Sequence, residues 1–335
     1  MGKGRRGRWL AAALVVVVAL VGATVLVLRD PGAAEEYDAG DVATTTTTVA
    51  TTTTTTAPPT TTTTGPPTTT TPPTTAAPAP TPPRGPATST AKKGVSVWDF
   101  GGLGAALTDV GASWYYNWAS GPTGGAGDSA EFVPMIWGAR SVNDDELARV
   151  KANGSTLLGF NEPDFGSQAN MTVEQALDLW PRLQDTGMRL GSPAVAVGGA
   201  DAGGWLDRFM AGARERGLRV DFITLHWYGS DFGDAAVGHL RDYVEAVHDR
   251  YGLPVWITEY ALIKWVDGGS VFPTDAQQAA FVTGSTAMFE SLPYVERYAW
   301  FALPTPDDRQ GTGLYRSDSA APAPTPAGAA YRAAG

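Results

Sequence analysis

The sequence has 335 residues, a formal net charge of −10, 40 Gly, 25 Pro and no Cys. The missing cysteine excludes disulfide staples and thiolate chemistry, so any exported domain is held by its core alone. From Gly94 onward, 29 Asp and Glu stand against 16 Lys and Arg. That balance argues against nucleic acid or anionic lipid as the ligand and suits a neutral polymer.

Residues 1–8 contain Lys3, Arg5, Arg6 and Arg8, and residues 9–28 contain no charge. An uncharged run of about 20 residues matches a bilayer core, and the positive flank holds the amino end in the cytoplasm. We therefore expect a cytoplasmic basic tail (1–8) and a transmembrane anchor or signal sequence (9–28). Either reading exports the rest, at the cell membrane as a single-pass protein or secreted after cleavage.

Residues 29–93 are dominated by Thr, Pro and Ala, which offer too little apolar surface to offset ordering entropy. They are predicted to be a disordered linker, whose Thr- and Pro-rich part (44–90) extends at about 3 Å per residue, on the order of 100 Å in all. Residues 94–335 hold all the composition suited to a core, and about 240 residues is the size of one eight-stranded barrel.

Eight short apolar, β-branched or aromatic runs recur there: 95–100, 113–118, 132–137, 156–160, 189–194, 221–227, 254–259 and 297–301. Helical patterns separate most of them, and such alternation predicts a parallel sheet. Thr172 to Gln175 and Thr274 to Gln277 read as capping boxes. Stripes at Trp205, Phe209 and Ala213 and at Leu240, Val244 and Val247 end at Gly217 and Gly252. Thr325 followed by Pro326 opens a last helix, with Gly328 as its weak point. The expected fold class is α/β, a (β/α)8 TIM barrel after the anchor and linker. A doubly wound nucleotide binder is disfavoured, because Gly101-Gly102-Leu103-Gly104 lacks the G-x-G-x-x-G spacing.

In such a barrel the functional side chains sit at the C-terminal ends of strands. The residues there include Asp99 and Tyr116, and of the set Trp98, Asn117, Trp118, Trp137, Asn161, His226, Trp227, Tyr228, Tyr260 and Trp300 are nominated for substrate binding, with Glu162 and Glu259 as the catalytic pair. Sugar rings present flat C–H faces to indoles and polar edges to Asn and His. Two carboxylates delivered by strands four and seven are the minimum equipment for cutting a glycosidic bond. His239 and His248 lie off a common helical face, so no metal and no cofactor is expected. No G-x-S-x-G elbow accompanies the histidines, which argues against a serine hydrolase.

Trp114-Tyr-Tyr-Asn-Trp118, Pro134-Met-Ile-Trp137, Gly159-Phe-Asn-Glu-Pro163, His226-Trp-Tyr228 and Ile257-Thr-Glu-Tyr260 together resemble glycoside hydrolase family 128, from Gly94 to the C-terminus. The resemblance implies a retaining barrel acting on β-1,3-glucan. Glu162 then matches the acid/base and Glu259 the nucleophile. Asn161 matches the residue that bonds the 2-hydroxyl of the sugar under attack. Tyr228, or else His226, would bond Glu259 and help to keep it ionised. Two rivals stay open, a non-catalytic glucan-binding surface protein and the same chemistry on another neutral polysaccharide. The expected partners are a poly- or oligosaccharide and, through the N-terminal segment, the membrane, with the catalytic domain a monomer.

Overall fold

The computed structural model describes residues 87–267, 269–305, 311–317 and 323–335. The expected tail, anchor and linker residues 29–86 lie outside them, whereas the end of the expected linker belongs to the fold: Thr88 N–H donates to the Arg332 carbonyl, and the fully buried Lys93 opens the first strand. Among the described residues no helix is long and apolar enough to cross a membrane.

The fold is α/β around a central parallel sheet. Strands β1 (Lys93–Ser96), β2 (Trp114–Tyr116), β3 (Glu131–Phe132), β6 (Ile223–Gly229), β7 (Val255–Leu262) and β10 (Val295–Trp300) pair in the order β3-β2-β1-β10-β7-β6, every pair parallel. Strands β4 (Thr156–Leu157) and β5 (Arg189–Leu190) form a second parallel pair. Single parallel bridges join them to the ends of the larger sheet: Met135 to Leu158 on one side, Gly191 to Phe222 and Val195 to Leu225 on the other. The pairing thus runs through all eight segments, the arrangement of a TIM-barrel-like fold.

Several of these strands are shorter than their apolar runs. Pro134 and Pro193 have no N–H to give to a ladder, so the runs at 132–137 and 189–194 break into a short strand plus isolated bridges. Helices follow seven of the eight strands: α1 (Leu103–Asp109), α2 (Asp144–Asn153), α3 (Val173–Gln184), α4 (Trp205–Glu215), α5 (Ala236–Tyr251), α6 (Asp275–Ser291) and α7 (Pro326–Ala333). Residues 117–130, between β2 and β3, contain no helix.

Both expected capping boxes form, with Thr172 and Thr274 each accepting from the backbone three residues on while Gln175 and Gln277 reach back. Pro326 opens α7, and Thr325 accepts from the Gly328 N–H. The glycine inside this helix has a packing cause. A Cβ on Gly328 would stand 2.0 Å from the Leu314 carbonyl oxygen, so only glycine lets the helix dock there.

The core has two parts. A large layer between sheet and helices includes Trp180, Phe209, Ile257, Tyr260, Phe289 and Trp300. A smaller cluster of Trp114, Tyr116, Val133, Met135, Leu158, Phe222, Trp256 and Ala299 is separate from it, on the opposite face of the strands. Side chains alternate between faces along each strand, and this alternation decides which strand-end residues reach the site.

Candidate active site

Glu162 follows β4 at φ 43°, in the left-handed region that a non-glycine residue rarely adopts. Its N–H donates to the Ala194 carbonyl at 2.7 Å, and its own carbonyl accepts from Phe165 N–H at 3.1 Å. Asp164, two residues on, accepts from the N–H groups of Ala196 and Val197 and so ties the end of β4 to the loop after β5. Burial pushes the Asp164 carboxyl up, against those backbone donors.

Glu259 lies in β7 and is 4% exposed. Its Oε1 accepts from Trp118 Nε1–H at 2.8 Å and Tyr116 O–H at 3.1 Å, and its Oε2 accepts from Tyr228 O–H. Trp118 is itself held at φ 58°. Burial pushes the Glu259 carboxyl above the usual range. The His226 charge opposes that shift, Glu162 adds to it, and the Tyr228 and Trp118 hydrogen bonds also oppose it. Tyr116 and Tyr228 are raised well above a free phenol, first by burial and then by Glu259, so both remain donors.

His226 stands between the two glutamates. Its Nδ1 is 2.8 Å from Glu162 Oε1, and its Nε2 is 3.4 Å from Glu259 Oε1 without the alignment of a hydrogen bond. Burial works against the charged ring, but Glu259 and Glu162 outweigh it and raise the imidazole. One oxygen of each glutamate and one ring nitrogen of His226 lie within 4.8 Å of one another. Two carboxylates and an imidazole are also a donor set that a divalent cation accepts. Here the aromatic donors on Glu259 and the imidazole contact on Glu162 compete for the same lone pairs.

Asn161 is 3% exposed; its Nδ2 donates to Gln168 at 3.4 Å, and its Oδ1 has no partner among the described residues. Trp98 stacks on Trp118, with centroids 6.4 Å apart and 26° between planes. Trp137 is half-buried against the smaller core cluster.

Four nominated residues are directed elsewhere. Asn117 donates to the Gly121 carbonyl and accepts from Ala119 N–H, so its amide is spent within its own loop. Trp227 stacks on Phe281 of α6 at 5.7 Å. Tyr260 is buried among Phe281, Phe289, Tyr298 and Trp300. Trp300 is fully buried and donates to the Thr312 carbonyl. The last three neighbour inward-facing residues, and strand alternation turns them to the helix layer. Tyr116 is among the strand-end residues without an assigned role, and Phe301 is not among them. Tyr116 bonds Glu259, and Phe301 meets Trp118 at 6.0 Å and Tyr228 at 5.5 Å. Alternation puts Tyr116 at the site, because it is two residues from Trp118 and shares its face.

A family model described as the catalytic core of glycosyl hydrolases matches residues 104–331. A family 128, subgroup I endo-β-1,3-glucanase from Amycolatopsis mediterranei, solved with laminaritriose and laminaribiose, is 58% identical. It covers 73% of this chain and 100% of its own, with a TM-score of 0.70. The chain belongs to glycoside hydrolase family 128. At 58% identity to that glucanase it is a glycosidase. Structures of that relative carry replacements at one or other of two glutamates, whose spacing along its chain equals that of Glu162 and Glu259. A subgroup II endo-β-1,3-glucanase from Sorangium cellulosum is 30% identical over 73% of this chain and 98% of its own, with a TM-score of 0.61. Alkali-sensitive linkage protein 1 of Schizosaccharomyces pombe is 34% identical over 206 residues. That match covers 59% of this chain and 36% of the relative, so the chain spans about a third of its length.

Proposed function

We propose that this glycosidase is a (β/α)8 endo-β-1,3-glucanase that cleaves its substrate with retention by double displacement. The observation that carries the reading is the pair of buried glutamates with an oxygen of each within 4.8 Å. Retaining enzymes hold their carboxyl groups about 5–5.5 Å apart, whereas inverting enzymes leave roughly 6.5–9.5 Å for a water. The substrate class rests on the family 128 relatives, and one of them is known with laminarihexaose.

In the first step a Glu259 carboxylate oxygen attacks the anomeric carbon while the glycosidic C–O bond breaks and the Glu162 proton passes to the leaving oxygen. Three aromatic donors fix the Glu259 carboxylate and favour its ionised form. In the second step Glu162 takes a proton from water, the water oxygen attacks the anomeric carbon, and the ester to Glu259 breaks. The unpartnered Asn161 Oδ1 suits the 2-hydroxyl, a contact that strengthens in the transition state. Trp98, Trp118 and Trp137 supply apolar faces for sugar rings. For localisation the support is the sequence alone: a basic tail and apolar run (1–28) and a Thr/Pro linker (29–93) put the domain (94–335) outside the cell.

The test is reducing-end release from β-1,3-, β-1,4- and mixed-linkage glucans, beside Glu162→Gln. The expected result is oligosaccharide release from β-1,3-glucan, reduced about 10²–10⁴-fold by the substitution, with the β-anomer formed first by NMR. An initial α-anomer would replace double displacement with inversion, and binding without release would make the protein a glucan-binding surface protein.

A further inference from the structure

Glu162 stands in a backbone conformation that its own sequence opposes. A φ of 43° is costly for a residue that carries a Cβ, and the ring of Pro163 further restricts the residue before it. Such a conformation persists only where the surroundings over-determine it. Three of the constraints are backbone bonds: Glu162 N–H to the Ala194 carbonyl at 2.7 Å, Phe165 N–H to the Glu162 carbonyl at 3.1 Å, and Met171 N–H to the Pro163 carbonyl at 2.8 Å.

The Asp164 side chain adds two more. Its Oδ1 accepts from Ala196 N–H at 2.8 Å and its Oδ2 from Val197 N–H at 3.4 Å. Ala194, Ala196 and Val197 belong to one segment after β5, so Glu162 N–H and the Asp164 carboxylate grip that segment on either side of Pro163. The segment is held from behind by Gly199 N–H, which donates to the Tyr243 hydroxyl of α5 at 3.1 Å. Burial works against the charge on Asp164 and the Glu162 carboxylate adds to that, whereas backbone N–H groups favour it. What an anion in this place contributes is therefore position.

We propose that Asp164 is a positioning residue for the acid/base step, clamping the end of β4 to the segment after β5 so that the Glu162 carboxyl is aimed at the glycosidic oxygen. The proposal rests on the two-glutamate reading. Asp164 touches no sugar and carries no proton to it. Its loss matters in proportion to how much the leaving group needs a proton. A sugar leaving from glucan needs one as the C–O bond breaks, whereas dinitrophenolate leaves without one.

The test compares wild type, Asp164→Ala and Asp164→Asn on laminarihexaose and on a dinitrophenyl β-laminaribioside. We expect Asp164→Ala to lower kcat on the hexaose roughly 10–100-fold with KM little changed, while first-turnover release of dinitrophenolate is retained. Asp164→Asn, which keeps an acceptor for Ala196 N–H, should recover most of the loss. Equal losses on both substrates would make the role one of general stability, and equal losses in both variants would make the charge the cause. Either result overturns the proposal, as does an unchanged hexaose rate in Asp164→Ala. Should the alanine variant not fold, Asp164→Ser, whose single oxygen stops short of both N–H groups, takes its place in each comparison. If the wild type cleaves neither substrate, the functional reading fails, and amide hydrogen exchange decides the clamp separately. Faster exchange at Glu162 N–H in Asp164→Ala, with the N–H groups of β7 unaffected, supports it, and unchanged exchange at Glu162 removes it.

Discussion

Two glutamates in this molecule each accept a hydrogen bond from an indole at 2.8 Å: Glu259 from Trp118 in the candidate site, and Glu296 from Trp256 near the starts of the strands. Glu296 also pairs with the Arg189 guanidinium at 2.7 Å and is about one-third exposed. Arg189 and Arg297 lie over the rings of Trp256, Phe222 and Trp114, so indole, guanidinium and carboxylate satisfy one another. Glu259 is buried, and its basic partner among the described residues is His226, which it shares with Glu162. A tryptophan beside a glutamate therefore does not identify a site. What separates the two ends is whether a permanent cation completes the pair, since a buried carboxylate without one is costly to maintain.

The largest expected difference is in turnover. Glu259→Ala should reduce glucan cleavage below detection, and added azide should restore it by taking the place of the missing carboxylate. Glu296→Gln should leave kcat/KM within about twofold and reduce stability by less than about 1 kcal/mol, because its ion pair with Arg189 is solvent-screened. Reducing-sugar assays and denaturant melts measure both. Cleavage by Glu259→Ala near the wild-type rate would remove that residue from the mechanism and erase the contrast.

A smaller effect sharpens the contrast through pH. The Tyr228 hydroxyl bonds the ionised form of Glu259, so it lowers a carboxyl that burial raises. Tyr228→Phe removes that support, and the Glu259 carboxyl should titrate higher still. Because the nucleophile is active only when ionised, the acid limb of kcat/KM should move to higher pH in the variant. A hydrogen bond to a charged group is worth about 1.5–3 kcal/mol, so kcat should fall roughly 10–150-fold. A pH–rate profile with an unmoved acid limb would show that Tyr228 does not support the charge on Glu259.

Much of this was legible in the sequence, and the rest fails for identifiable reasons. Thr172 and Thr274 with their Gln partners gave the starts of α3 and α6, because capping chemistry is local. The Asn143 cap on Glu146 N–H is equally local and marks the start of α2. Glu162 and Glu259 stood out because each ends an apolar run. Position at a strand end does not say which face a side chain takes, so it gathers Trp227, Tyr260 and Trp300 together with Tyr116, and alternation is what separates them. The antiparallel hairpin of Lys264–Val266 with Gly269–Val271 lies outside all eight runs, because its pairing depends on contacts that no periodicity displays.

The smallest expected effect tests that account of alternation directly. Trp227 stands between His226 and Tyr228, yet its ring stacks on Phe281 of α6 with 24° between planes. If the strand faces are as described, Trp227→Phe changes packing between sheet and helix and nothing that sugar touches. Activity should stay within about twofold, while the melt loses about 1 kcal/mol for an imperfect hydrophobic replacement. The informative comparison is with Trp118→Phe, which deletes an N–H donor to Glu259 and should lower kcat at unchanged stability rank. A Trp227→Phe variant that melts like the wild type but has lost most of its turnover would mean that the ring reaches substrate, and the inward and outward faces of β6 would have to be exchanged.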